Sequence, residues 1–221
     1  MAEQTKDVYG EVIGCDEMHY AKVNEDSGTK YEAATPEYLA PTAEIQTSPT
    51  VNTSKRYYDN KVRFIDVTEG DTEVKIVVSG VPCSLAAKLT GKIYDAANGK
   101  FYDTGDLSAT PYCALSGRMS LGGGDEYRYF NYLKGKFALG GEAAKTKEDG
   151  ITVNTTELTY TAAVTVHKFQ VDTDKLSGAK AVKADTTDAK FTGASTWFSK
   201  IQTPPEPVSG QSAQSSKAVS K

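Results

Sequence analysis

Histidine, tryptophan and cysteine are scarce in this chain of 221 residues, which holds two, one and three of them. His19 and His167 stand at spacings from Cys15, Cys83 and Cys113 that no zinc motif uses, so both are expected to be ordinary strand or loop residues. The cysteine count is odd and no CxxC pair occurs, which fits free thiols in a reducing compartment better than a disulfide framework. GxSxG, HExxH, GKS/GKT and GxGxxG contexts are missing as well. The glycines of "LGGGDE" (121–126) have no helical pattern after them and no Lys-Ser/Thr, so a tight turn is expected there, not a phosphate cradle. No spacing brings two carboxylates to one pocket. The chain therefore reads as a non-enzyme with no cofactor and no metal.

Long apolar runs are lacking too. No segment reaches the 18 or more apolar residues of a membrane span, and "MAEQTKDVYGEVIG" has no signal-peptide core. No membrane role is expected. The sequons at Asn52 and Asn154 then read as accidents of a Thr-rich chain. Nor is there a surplus of positive charge. The formal charge is −4, against the basic excess that a free-standing nucleic-acid binder normally shows. Residues 1–50 hold ten Asp/Glu and three Lys, which leaves the remaining 171 residues with a net of +3. Such an acidic first quarter either docks copies head to tail or forms a solvated arm.

What is plentiful points to β structure: 25 Thr, 13 Tyr and two-residue periodicities between Gly, Asp and Asn. "PTAEIQTS" (41–48) and "KVRFIDVT" (61–68) flank a polar stretch, 49–60, and read as a long hairpin with a long loop. In "TEVKIVVS" (72–79) Val74, Ile76 and Val78 share a face. "PYCALSGRMSL", "EYRYFNYLKGKFAL" and "ITVNTTELTYTAAVTVHKF" supply three more strands, joined by the 122–124 glycines and by "GGEAAKTKEDG". In the last strand Leu158, Tyr160, Ala162, Val164 and Val166 are expected to face a core, with Thr159, Thr161, Ala163 and Thr165 opposite. "VPCSLAAKLTG" (81–91) predicts a two-turn helix with Pro82 at its start and Gly91 as C-cap. "STWFSKI" predicts a second, with Ser195 as N-cap. The Pro/Ser-rich end, 203–221, reads as a disordered tail.

The strand "EYRYFNYLKGKFAL" mixes rings and cations as a nucleic-acid surface does. "KGKFALGG" is superficially similar to the core of an RRM strand, but the further aromatics and the two long helices of that fold are missing. Its period breaks near Phe130, so a bulge at Phe130–Asn131 is expected. Leu133, Phe137 and Leu139 would then face the core, leaving Tyr132, Lys134 and Lys136 for a neighbouring subunit.

Taken in order, these features resemble the major tail protein, or tail tube protein, of long-tailed, non-contractile bacteriophages. The matching set is "CDEMHYAKV", the long hairpin with "YYD" at 57–59, "VPCSLAAKLTGKIYDAANGKFY", "YRYFNYLKGKFAL", "GITVNTTELTYTAAV" and Trp197-Phe198. It covers about residues 8–202; the tail after Gln202 departs from the pattern and receives no role from it. The resemblance implies one mainly β, sandwich- or barrel-like domain over 1–202, with an N-terminal arm and first strands (1–40), the hairpin (41–68) and two short helices. It further implies a structural virion protein, built in the host bacterial cytoplasm, that assembles with itself into stacked hexameric rings. A tape measure protein would fill the tube, tail terminator and distal tail proteins would close its ends, and DNA would pass through without specific binding.

A lumen that lets a polyanion pass is expected to be poor in cations. Candidate lumen positions are Glu44, Gln46, Asp66, Thr68, Glu73 and Glu157. Candidate contacts between subunits or rings are Lys55, Arg56, Tyr57, Tyr58, Tyr127, Tyr129, Tyr132 and Lys134. Two other classes stay open at this stage. One is a carbohydrate- or receptor-binding β-sandwich of a phage appendage, needing an exposed aromatic patch; the other is an OB-like nucleic-acid binder.

Overall fold

The computed structural model describes residues 10–122, 124–141, 155–173 and 175–207. The linker "EAAKTKEDG", Asn154 of the second sequon and the end of the chain from 208 lie outside them. The protein is mainly β, with a large antiparallel sheet and two short helical segments, in a β-sandwich-like arrangement.

The strands in chain order are β1 (Val12–Asp26), β2 (Tyr31–Ala33), β3 (Glu37–Tyr38), β4 (Thr42–Tyr58) and β5 (Lys61–Val78). Helix α1 (Cys83–Thr90) follows, then β6 (Ile93–Asp95), β7 (Lys100–Tyr102), β8 (Cys113–Leu121), β9 (Glu126–Leu139) and β10 (Thr156–Ala163). The last elements are β11 (Phe169–Asp172), β12 (Lys175–Ser177), β13 (Ala181–Asp185) and a 3-10 helix (Ala194–Ser199). The main sheet runs β2-β1-β8-β9-β10-β5-β4, with β3 beside β1 and β13 beside β9. Strand β9 organises it. One edge pairs with β8; the other is shared, β13 taking Arg128–Tyr132 and β10 taking Lys134–Leu139.

One face of the sheet carries the main core. Val74, Ile76, Val78, Leu158, Tyr160 and Ala162 are fully buried there, as their two-residue period predicts. Leu89 of α1, Leu39, Phe130, Tyr132 and Phe137 complete it. Helix α1 begins after Pro82 and ends at Gly91, whose φ of 73° is the left-handed cap expected from the sequence. The Trp197 segment is a 3-10 helix capped by Gly193, not the Ser195-capped helix predicted. On the opposite face a smaller core (Ala21, Ala114, Leu133, Phe169, Ala179 and Ile201) is covered by the chain from 164 to 207. That cover stops at the β1/β8/β9 end. Among the described residues nothing covers the β10/β5/β4 end of the second face.

Several expectations change. Residues 49–60 are no loop: β4 and β5 run to Tyr58 and Lys61, and the turn is Asp59-Asn60 alone. Both turn residues have positive φ (50° and 59°), the conformation of the type I′ turns that match strand twist. Strand β10 ends at Ala163, so Val164 and Val166 emerge into solvent while Thr165 and His167 turn inward. The first quarter is no solvated arm over its described part, since β1 lies inside the sheet. Three of its acids meet the basic remainder within the same chain. Asp16 takes two hydrogen bonds from Arg118, Asp26 binds Lys134, and Glu37 binds Lys88. The tail does not begin at 203, because Pro205 accepts a hydrogen bond from the Gln170 N–H and Glu206 lies 2.8 Å from His167 Nε2.

Candidate assembly surfaces

Beyond Pro49 and Thr72, among the described residues, strands β4 and β5 pair only with each other. Eight cross-strand pairs, Val51–Glu69 to Tyr58–Lys61, carry this ribbon about 25 Å past the sheet, at about 3.3 Å per residue. Two bulges set its faces. On β4, Ile45 and Thr47 lie on the core side, and Val51, Thr53, Lys55 and Tyr57 continue it. On β5, an extra residue between Glu69 and Thr72 reverses the parity, so Val67 and Ile65 join that side; a second bulge near Arg63 brings Val62 there. The core face of the sheet is thereby extended along the ribbon, past all the described residues that cover it. Val51, Tyr57, Ile65 and Val67 are 56%, 64%, 58% and 63% exposed.

Lys180 secures the root of the ribbon. Its Nζ reaches Glu69 Oε1 at 2.5 Å, the Gly70 carbonyl at 2.7 Å and Thr72 Oγ1 at 3.1 Å, at the first bulge. The other ribbon side carries Arg56, Phe64 and Asp66. Arg56 donates to Asp66 at 2.8 Å and covers the Phe64 ring, which Tyr58 meets edge-on. The four ribbon candidates are therefore divided: Lys55 and Tyr57 on the bare apolar side, Arg56 and Tyr58 on the polar one.

All six lumen candidates fall on one side of the sheet. Glu44 and Gln46 of β4 lie opposite Val77 and Lys75, Glu157 of β10 also opposite Val77, and Thr161 opposite Glu73. Ribbon residues Asp66 and Thr68, paired with Ser54 and Asn52, extend this face. Within the body it presents Glu44, Glu73 and Glu157 against Lys75 and Lys136, with Gln46, Ser48, Thr159 and Thr161 between them. Lys75 lies 3.9 Å from Glu157. Such a face is hydrated, mixed in charge and without a cationic groove.

The β9 candidates divide differently, and two are overturned. Tyr129 and Tyr132 are each only 4% exposed, on opposite faces of the sheet. Tyr129 sits among Phe191, Trp197 and Phe198, while Tyr132 packs beside Phe130 and Tyr160 in the main core. Neither is free for a neighbour. The parity break exists, but it falls between Tyr132 and Gly135, where β9 has one residue more than β8. Leu133 consequently faces the smaller core, opposite Phe137. Tyr127 is half-buried beneath the Arg118 guanidinium, 4.2 Å from the ring centroid. Lys134 is tied to Asp26 at 2.6 Å. Trp197, buried against Tyr129 and Phe191, offers no exposed platform to a sugar ring.

Sequence reasoning missed the Asp26 hub. Besides Lys134, its carboxylate accepts the Val166 and His167 N–H groups, each at 2.9 Å. Burial pushes its pKa up, but the His167 N–H, Lys134 and the Val166 N–H outweigh that and hold it below the usual carboxylate range. Lys88 and the Tyr20 hydroxyl hold Glu37 low in the same sense. Among the described residues no group of three or more His, Cys, Asp or Glu is placed to hold a metal ion. No protein-family model matches the chain, and no curated protein matches it.

Proposed function

We propose that the protein is a self-assembling structural subunit, the tail tube protein of a long-tailed, non-contractile phage. In this reading copies form hexameric rings that stack into the tube of the virion tail. The observation that carries it is the ribbon, whose apolar side prolongs the core face with nothing among the described residues to cover it. A two-stranded ribbon of this length is marginal alone in water, and an uncovered apolar side calls for a partner surface. The mixed, carboxylate-bearing face of β4, β5 and β10 suits a channel wall, since it offers phosphates no continuous cationic track. DNA would slide past it, after a tape measure protein has vacated the space. Tail terminator and distal tail proteins would cap the two ends.

Negative-stain microscopy of the purified protein at high concentration tests the reading. Hollow tubes or stacked rings of uniform diameter are the expected result. Discrete monomers at every concentration would overturn it.

A further inference from the structure

Between α1 and β8 the chain inserts residues 91–112. The β6–β7 hairpin within it is a separate two-stranded sheet. The insertion is firmly rooted. Thr110 Oγ1 donates to the Thr90 carbonyl at 2.9 Å, and Gly91 lies so close to the Ala109 carbonyl that a Cβ would stand 2.3 Å from its oxygen. Its outer side chains are nonetheless apolar and bare: Ile93 and its cross-strand partner Tyr102 are 58% and 45% exposed, and Leu107 is 56% exposed. Two bare apolar surfaces therefore exist on one chain, and their charges differ in sign. The insertion carries Asp95, Asp103 and Asp106 against Lys92 and Lys100, with Lys92 paired to Asp103. The ribbon tip from 55 to 66 carries Lys55, Arg56, Lys61 and Arg63 against Asp59 and Asp66. Among the described residues its two arginines are paired to those acids, while Lys55 and Lys61 have no ion-pair partner.

We infer that the bare side of the ribbon docks on the 91–112 insertion of a second copy, Val67, Ile65 and Val62 meeting Ile93, Tyr102 and Leu107. This rests on the self-assembly reading and adds the acceptor surface to it. The contact joins two different patches, so it is head to tail: it generates a ring if its rotation closes and a filament if it does not. Lys55, which lies on the bare side beside Ile65, then faces the acidic insertion and sets the register, as charge at an interface rim does.

The test uses two full-length variants altered at exposed positions. Ile65→Asp/Val67→Asp disables the ribbon, and Ile93→Asp/Leu107→Asp disables the insertion; unchanged circular dichroism verifies folding. Each alone is expected to stay monomeric in sedimentation velocity where the wild type assembles. Mixed together they should give one discrete 1:1 dimer, because each retains the surface the other has lost. Lys55→Glu should weaken that dimer by about tenfold, the effect of about 1.4 kcal/mol, and Asp106→Lys on the partner should restore it. Normal assembly of the insertion variant, or no dimer in the mixture, overturns the docking surface and leaves the tube reading standing. A wild type that never assembles overturns both.

Discussion

Lys134 Nζ and Asp26 Oδ2 lie 2.6 Å apart with 12% and 6% of their side chains exposed, at the point where β1, β9 and the chain after β10 converge. Asp26 serves three donors at once, two of them backbone N–H groups of Val166 and His167. Asp26→Asn removes the charge that balances a nearly buried lysine. Breaking such a pair from one side costs about 3–5 kcal/mol. A fall of that size in the urea unfolding free energy, with the assembled form excluded by dilution, is the expected outcome. A loss under about 1 kcal/mol, the range of exposed ion pairs, would show that water screens the pair.

Acid should weaken the fold. Asp26, Glu37 and Asp185 all have carboxyls held below their ordinary values: Asp26 by its three donors against the effect of burial, Glu37 by Lys88 and Tyr20, and Asp185 by Arg128. A depressed folded-state pKa contributes stability that is complete above the unfolded value and is lost as pH falls through the folded one. The urea midpoint should be flat above about pH 5 and decline below about pH 4, with a shallower decline in Asp26→Asn. A wild-type midpoint unchanged down to about pH 3 would contradict the assignment of these carboxylates.

The ribbon can be removed without touching the core. Residues 51–69 pair only among themselves, so joining Thr50 to Gly70 through a short Gly-Ser turn leaves the body's ladders intact. Lys180 keeps the Gly70 carbonyl and Thr72 as partners. The shortened chain is expected to fold, with a stability within about 1 kcal/mol of the parent, and to remain monomeric where the parent assembles. Light scattering distinguishes the two. Tubes formed by the shortened chain would show that the ribbon is idle.

The three thiols should differ in reactivity. Cys83 is exposed at the start of α1, Cys15 is half-buried, and Cys113 is buried, which pushes its pKa up to about 11. Burial raises Cys15 as well, with the Asp16 and Glu44 carboxylates adding to it. Because the thiolate is the reactive form, a disulfide reagent at neutral pH should modify Cys83 first, Cys15 slowly and Cys113 only on unfolding. Three equal rates would mean that the β8 core opens readily.

Much of the fold was legible because its residues obey one period at a time. Val74, Ile76 and Val78, the Leu158–Ala162 alternation, and the Pro82 to Gly91 helix are local signals, and each is found where the sequence puts it. The ribbon is not legible in this way because its two bulges change the period mid-strand. "KVRFIDVTEGDTEVKIVV" looks like two strands, yet it is one, with an extra residue at its middle. Without that residue Ile65 and Val67 would not share a side with Val51. The β9 tyrosines were misplaced for a different reason. Tyr is equally at home in an interface and in a core, and only the 3-10 helix arriving from residue 194 decides the fate of Tyr129. The Asp26 hub joins positions more than 100 residues apart, a separation to which no local pattern is sensitive.

The division of β9 between β10 and β13 also orders events in time. The ribbon closes through a two-residue turn and its strands can begin to pair once Glu69 has been made, whereas the sheet stays open until Ala181–Asp185 fill the last vacant edge of β9. Contacts spanning such distances form slowly. During translation, the two strands of the ribbon therefore meet while the body that roots them is still open, and β13, the last strand of the main sheet in chain order, closes it.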